Sequence, residues 1–254
     1  MTIIIEKLTF AYERTSVLTS VSATAENGRI TALIGPNASG KSTLLRCIIG
    51  ALRPQSGSIL IDDQHAHQLN GGSLARSIAY VPQRSTVSAA FTVREVVELG
   101  RYALPRDHHR VDDALERLEL AEIARRPYQA LSVGQQQRVT LARAIAQLSP
   151  HGHLILDEPT SAMDLRHISR CFTLLHELAG MGHVVVLALH DLAAAAMLAD
   201  DVWLLDRGRV AASGSVAEVM EVERLARVFG VPFQWIEDGE GGRFLHPRVR
   251  GVNC

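Results

Sequence analysis

The stretch Gly35-Pro36-Asn37-Ala38-Ser39-Gly40-Lys41-Ser42-Thr43 matches G-x-x-x-x-G-K-[ST], and its reading decides the fold. An apolar run, Ile30-Thr31-Ala32-Leu33-Ile34, leads in, and the helix-compatible Ser42-Thr43-Leu44-Leu45-Arg46 leads out. In this strand–loop–helix setting, glycines let backbone N–H groups turn inward around anionic oxygens. The following helix aims its positive N-terminal end at the same point. Lys41 then reaches the β- and γ-phosphates of a nucleotide, and the Ser42 hydroxyl takes a place on Mg²⁺. Lys7 and Lys41 are the only lysines amid abundant arginine. One of them stands where a compact, flexible ammonium suits phosphate.

A second stretch, Leu154-Ile155-Leu156-Asp157-Glu158-Pro159, is an apolar strand ending in two carboxylates. A buried parallel strand delivers its C-terminal residues to the ligand-binding edge of a sheet, where a phosphate loop also lies. Asp157 suits an outer ligand of Mg²⁺, and Glu158 suits polarising the attacking water. By itself the pattern is also an ordinary acidic turn; the upstream loop gives it the hydrolytic reading. Between the two, Leu131-Ser132-Val133-Gly134-Gln135-Gln136-Gln137-Arg138 opens a helix that continues through Leu148. Ser132 is placed to cap it, and Gly134 leaves the backbone open to an anion, which makes a second phosphate site. One nucleotide does not easily use both sites on one subunit. Standing alone, this segment would be a plain capped helix.

Composition narrows the classes. The chain has 254 residues, 47% of them hydrophobic, enough for one large α/β domain or a core with one inserted subdomain. A formal net charge of −1 leaves no electrostatic footprint for nucleic acid or an anionic membrane. Cys47, Cys171 and Cys254 are scattered with no C-x-x-C, so a disulfide scaffold or thiolate zinc site is not expected and a reducing compartment is. The N-terminus lacks a basic region followed by a long apolar core, and no apolar run approaches the ~20 residues of a membrane span. A membrane role must come through a partner. His65, His67, His108, His109, His151 and His153 come without carboxylate or Cys clusters at ligand spacing and read as surface or loop residues.

Along the chain, strands are expected at Ile3–Leu8, Ile59–Ile61 and Ile78–Val81, then at Leu154–Leu156, Val184–Leu189 and Val202–Leu205. Helical spacing occupies Val93–Leu99, Val111–Leu120, Ile168–Ala179 and Leu192–Leu198, with Pro105 and Pro127 as breaks. Alternation of strands and helices implies a mainly parallel sheet covered on both faces.

Taken in order, the phosphate loop, L-S-x-G-Q just upstream of L-I-L-D-E-P, and Ser161-Ala162-Met163-Asp164 resemble the ATPase subunit of ABC transporters. Gln83 after Tyr80-Val81-Pro82 and His190 after Leu187-Ala188-Leu189 match further positions, as does Tyr12. The resemblance runs from about Ile3 to Phe229. It implies an α/β fold with a P-loop NTPase core of ABC ATPase type, an inserted helical subdomain and an N-terminal antiparallel β region. The ATPase domain would span residues 2–237, with the insert at about 86–148 and a peripheral tail at 238–254. The resemblance makes Glu158, His190 and Gln83 catalytic, and assigns Mg²⁺ to Ser42, Gln83 and Asp157. It assigns ATP to Tyr12 (stacking on adenine), Gly35, Pro36, Asn37, Ala38, Ser39, Gly40, Lys41, Ser42 and Thr43. From the partner subunit, Ser132, Gly134 and Gln135 would meet the same nucleotide, with Asp164 at the subunit interface. Alone, Gln83 also reads as a polar turn residue, His190 as a structural histidine at a strand end, Asp164 as a helix cap and Tyr12 as core.

Two positions depart from the family pattern, Ala38 and Val133, where glycine is usual. Positive φ would cost Ala38 ~1–2 kcal/mol, so a negative φ is expected there. Val133 suits the first turn of a helix. The implied activity is ATP hydrolysis by a head-to-tail homodimer that drives separate integral membrane permease subunits. The protein would sit peripherally on the cytoplasmic face of the inner membrane, reach a substrate-binding protein only through the permease, and bind no nucleic acid. Phe91-Thr92-Val93-Arg94-Glu95-Val96-Val97-Glu98-Leu99-Gly100-Arg101-Tyr102 resembles the ATPases of importers for iron–siderophore complexes, haem and cobalamin. The alternative is a soluble ABC ATPase of iron–sulfur cluster assembly.

Overall fold

The computed structural model describes residues 1–85, 87, 89–237 and 243–248. The chain begins with antiparallel strands β1 (Thr2–Tyr12) and β2 (Thr15–Glu26), then β3 (Ile30–Ile34) and helix α1 (Lys41–Ile48). Strands β4 (Ser56–Ile61) and β5 (Gln64–His65), helix α2 (Gly71–Ser77) and strand β6 (Ile78–Val81) follow. Helices α3 (Val93–Glu98), α4 (His108–Arg117) and α5 (Val133–Gln147) lie between β6 and β7 (His153–Asp157). The remainder is α6 (Leu165–Gly180), β8 (Val184–Ala188), α7 (Leu192–Leu198), β9 (Asp201–Asp206), β10 (Arg209–Ser215), α8 (Val216–Val219), α9 (Val222–Phe229), β11 (Phe233–Glu237) and β12 (Arg243–Pro247).

Among the described residues the main sheet runs β10-β9-β3-β8-β7-β6, and a second sheet runs β2-β1-β4-β5. Strands β9, β3, β8, β7 and β6 are mutually parallel, and β10 closes the edge antiparallel to β9. Residues of β3 and β8 alternate between the faces, as the two-residue strand period requires. Ile30, Ala32, Ile34, Val185 and Leu187 join a core with the inserted helices, α6 and α7. Leu33, Val184, Val186 and Ala188 join a core with α1 and the antiparallel sheet. The phosphate-loop helix α1 is therefore sandwiched between the two sheets.

The expected architecture is present, with three differences. Strand β2, whose inward residues include only small Ala23 and Ala25 besides Leu18 and Val21, lacks the hydrophobic contrast that marks a strand in sequence. Part of the tail read as peripheral is not: β12 pairs with β11, and Leu245 is 4% exposed in the main core. Residues 238–242 and 249–254 of that tail lie outside the described residues.

The third difference is His153, which is neither a surface nor a loop residue. It opens β7 with no exposed surface, and its Nε2 lies 3.0 Å from Asp62 Oδ2 in the turn between β4 and β5. The sequence puts these two residues far apart, so only folding reveals the pair. Burial pulls the imidazole below its ordinary value near 6.5, with Asp62 opposing. The folded state therefore favours neutral His153, while the unfolded chain takes up a proton as pH falls through the ordinary value, so the group's contribution to stability is lost on acidification. Thermal melting should accordingly fall more steeply between about pH 7 and about pH 5.5 for the native chain than for His153→Gln. Parallel pH curves for the two would show that His153 contributes no such term.

Candidate active site

The loop from Gly35 to Gly40 connects β3 to α1. Gly35 has φ 153°, and a Cβ there would meet the Leu205 carbonyl oxygen at 2.1 Å, so only glycine lets the loop pass over β9. Gly40 caps α1 with φ 106°. Ala38 has φ 62°, contrary to the negative value expected from its side chain. The turn imposes this, and the exposed methyl adds no clash, so only the backbone cost of ~1–2 kcal/mol remains. Val133 does occupy the first helical position of α5, as its side chain requires.

Lys41 is 6% exposed, and its Nζ donates to the Gly35 carbonyl at 2.8 Å and the Pro36 carbonyl at 3.1 Å. Burial pulls its ammonium below the ordinary lysine value, with Glu158 and Asp157 opposing. Asn37 and Ala38 are exposed at the loop's crest, Pro36 is half-buried, and Ser39 and Thr43 are buried. The buried Ser39 Oγ has no hydrogen-bond partner in the protein, a hydroxyl left available within a loop of N–H donors. The Ser42 hydroxyl donates to Asp157 Oδ1 at 3.2 Å. Burial pushes the Asp157 carboxyl up, against the Ser42 bond and the nearby Arg46 and Lys41.

Glu158 follows β7, 8% exposed and with φ 51°. Its N–H donates to the Ala188 carbonyl at 3.2 Å, which ties it to the end of β8. Gln83 Nε2, just beyond β6, donates to Glu158 Oε2 at 2.7 Å. His190 Nε2, just beyond β8, contacts Glu158 Oε1. Three parallel strands thus aim one carboxylate and its two partners at the edge where the phosphate loop opens.

Ser132, Gly134, Gln135 and Asp164 form a second group. Ser132 and Gln135 make a capping box: the Gln135 N–H donates to Ser132 Oγ at 3.3 Å, and the Ser132 N–H to Gln135 Oε1 at 3.1 Å. Gly134 lies against the 158–162 segment, where a Cβ would meet the Ala162 carbonyl oxygen at 2.5 Å. Asp164 caps α6 and accepts from the His167 N–H at 3.0 Å. That backbone bond holds its carboxyl below the ordinary value. Ser132 and Asp164 are both exposed. Tyr12 stands apart at the end of β1, 42% exposed and edge-on to Phe10 at 4.8 Å between ring centres.

One residue the sequence reading passed over links the groups. Gln137 of α5, 8% exposed, donates through Nε2 to the Glu158 carbonyl at 2.9 Å and lies 3.2 Å from Ser161 Oγ. Its Oε1 accepts from the Ala162 N–H at 3.0 Å. A signal was available: Gln137 falls on the helix stripe that also buries Thr140, Leu141 and Ala144, where an amide must find partners.

The donor set fits a magnesium nucleotide. Ser42 Oγ and Asp157 Oδ1 are the hard oxygens such a cation takes, and Lys41 with the unpartnered Ser39 hydroxyl suits phosphate oxygens. Among the described residues no group of three or more His, Cys, Asp or Glu side chains could hold a metal, and no helix is long and apolar enough to cross a membrane.

Residues 18–161 match the model of the ABC transporter family. The hemin import ATP-binding protein HmuV of Rhodococcus jostii is 40% identical over 235 residues, 90% of this chain and 80% of that protein. The cobalamin import ATP-binding protein BtuD of Halobacterium salinarum is 37% identical over 90% of this chain and 59% of its own length. A solved ATP-binding subunit of an ABC transporter superposes with a TM-score of 0.80 at 26% identity, covering 91% of this chain and 94% of that one. Replacing Gly134 with Ala should force α5 away from the Ala162 carbonyl and destabilise the fold by ~1–3 kcal/mol, the usual cost of overpacking. Equilibrium denaturation measures it, and an unchanged midpoint would show that the contact relaxes freely.

Proposed function

The chain belongs to the ABC transporter ATPase family, and we propose that it energises a membrane importer of iron chelates (ferric siderophore or haem) or cobalamin. Hydrolysis is carried by one observation above all: Glu158 is held between Gln83 and His190 beside the Lys41 loop and the Ser42–Asp157 pair. The import reading is supported by the hemin and cobalamin relatives and by the Phe91–Tyr102 segment.

Each residue has a role in that reading. Backbone N–H groups of the 35–40 loop and the Lys41 ammonium bind and orient the phosphates. Ser42 and Asp157, with Gln83, would hold Mg²⁺, which would supply positive charge to offset that of the phosphates. Glu158 orients the attacking water and takes its proton at a carboxylate oxygen. Gln83 and His190 hold that carboxylate in place; once it turns to the water, the His190 imidazole is free to donate to the γ-phosphate. Tyr12 stacks on adenine.

Two anion sites on one chain, the phosphate loop and the first turn of α5, call for two copies of the chain. In a head-to-tail homodimer, Ser132, Gly134 and Gln135 of one copy close over the nucleotide held by the other copy's Lys41 loop. Asp164 then lies at the interface, under a two-fold axis. The inserted helices carry a groove of about 500 Å³ lined by Phe91, Glu95, Leu99, Tyr102 and Leu104, with Tyr102 92% exposed. We assign this groove to the permease subunits, which place the protein peripherally at the cytoplasmic face of the inner membrane. A loaded substrate-binding protein signals through the permease to Gln83.

Glu158→Gln should retain ATP binding and accumulate an ATP-dependent dimer while steady-state hydrolysis falls by well over ~tenfold, a barrier increase above ~1.4 kcal/mol. Turnover within that factor of the native rate removes Glu158 from the role. In vesicles containing the permease and a loaded binding protein, ATPase activity should rise with a ferric siderophore, haem or a corrinoid. A response only to a sugar, amino acid or phosphate sinks the import reading and leaves the hydrolytic one standing.

A further inference from the structure

The unusual feature of Glu158 is its backbone. A non-glycine residue at φ 51° costs about 1–2 kcal/mol and persists only where its surroundings over-determine it. Its side chain is held by Gln83 and His190, but these bonds leave the peptides on either side free to rotate. Three other bonds stop them, the longest being the Ser161 N–H on the Glu158 carbonyl at 3.4 Å within the turn itself. The Glu158 N–H is anchored on the Ala188 carbonyl at 3.2 Å. The Glu158 carbonyl accepts from the buried Gln137 amide at 2.9 Å.

Gln137 does more than satisfy one carbonyl. The same amide grips the next turn, with Nε2 at 3.2 Å from Ser161 Oγ and Oε1 accepting from the Ala162 N–H at 3.0 Å. Three polar groups of the segment 158–162 are thereby referred to one side chain of α5. That helix begins at Ser132, about one and a half turns earlier, and Gly134 touches the same segment through the Ala162 carbonyl. A movement of the helix start carries Gln137 with it and pulls directly on the peptide after Glu158.

We propose that Gln137 is a positioning residue for hydrolysis, fixing the Glu158 peptide from the helix whose first turn faces the partner's nucleotide and so joining the two nucleotide sites of the dimer. The proposal rests on the dimeric hydrolytic reading given above. When the partner's nucleotide draws in Ser132, Gln137 sets the carbonyl of Glu158 and hence the direction of its carboxylate toward the water of the other site. Gln137 touches no reacting atom and acts only through Glu158.

The test uses the purified full chain. Gln137→Met keeps the volume and removes every polar bond. Its turnover should fall at least ~tenfold while the KM for ATP stays within about twofold, and an ATP-dependent dimer should accumulate, the same outcome expected for Glu158→Gln. A role in fold stability alone would lower nucleotide binding, dimer and turnover together; that outcome, or native turnover, overturns the proposal. Should Gln137→Met fail to fold, Gln137→Glu decides by its pH profile. A protonated carboxyl can donate to the Glu158 carbonyl as the amide does, so its turnover relative to the native chain should rise from about pH 8 to about pH 6. A flat ratio overturns the proposal. Native turnover in Glu158→Gln would instead refute the underlying hydrolytic reading, and Gln137 would then have nothing to position.

Discussion

The register of three parallel strands governs the rest of the molecule. Leu33 of β3 pairs with Ala188 of β8, and Ala188 pairs on its other side with Asp157 of β7. This row lies at the C-terminal edge of the sheet. The phosphate loop, the segment leading to His190 and the carboxylate pair all leave the sheet within two residues of it. The strands are fully buried, so a slip of one residue would turn every side chain to the wrong face. Packing of the two strand faces against their different covering layers therefore sets the relative height of Lys41, Glu158 and His190.

Two layers protect that register. On one face, α1 and the antiparallel sheet bury Leu33, Val186 and Ala188; on the other, the inserted helices, α6 and α7 bury Ala32, Val185 and Leu187. The same core thus supports the phosphate-loop helix and the helical insert. A push on the groove near Leu99 and Tyr102 has a packed route to α5, because α3 and α4 both contact that helix. Packed interiors transmit displacement well, since they have little void to absorb it.

Left-handed backbone occurs in several turns of the chain, and two of its positions fall at the candidate site. Ala38 and Glu158 both hold positive φ, one in the phosphate loop and one carrying the carboxylate proposed for hydrolysis. Neither conformation is the choice of its own side chain. In each case neighbouring bonds impose it: the Ser39 N–H on the Pro36 carbonyl and the Gly208 N–H on the Ser39 carbonyl around one, Ala188 and Gln137 around the other. Bonds of this kind fix where the backbone places a side chain, which is how positioning contributes to phosphoryl transfer.

Local chemistry was legible in the sequence. The phosphate loop, the apolar strand ending in Asp157 and Glu158, the Ser132 cap and the inserted helices all announce themselves through contiguous residues, because each depends on backbone geometry within a few positions. The family resemblance added Gln83, His190, Asp164 and Tyr12, whose types alone say little. What lay hidden depends on partners remote in the chain. His153 is buried because Asp62 meets it, β2 is a strand because β1 pairs with it, and Gln137 has a task because Glu158 and Ala162 come to it. Ala38 shows the same limit from the other side. Its own preference is for negative φ, yet the closed loop between β3 and α1 leaves it one conformation, because ring closure of the loop outweighs ~1–2 kcal/mol of local cost.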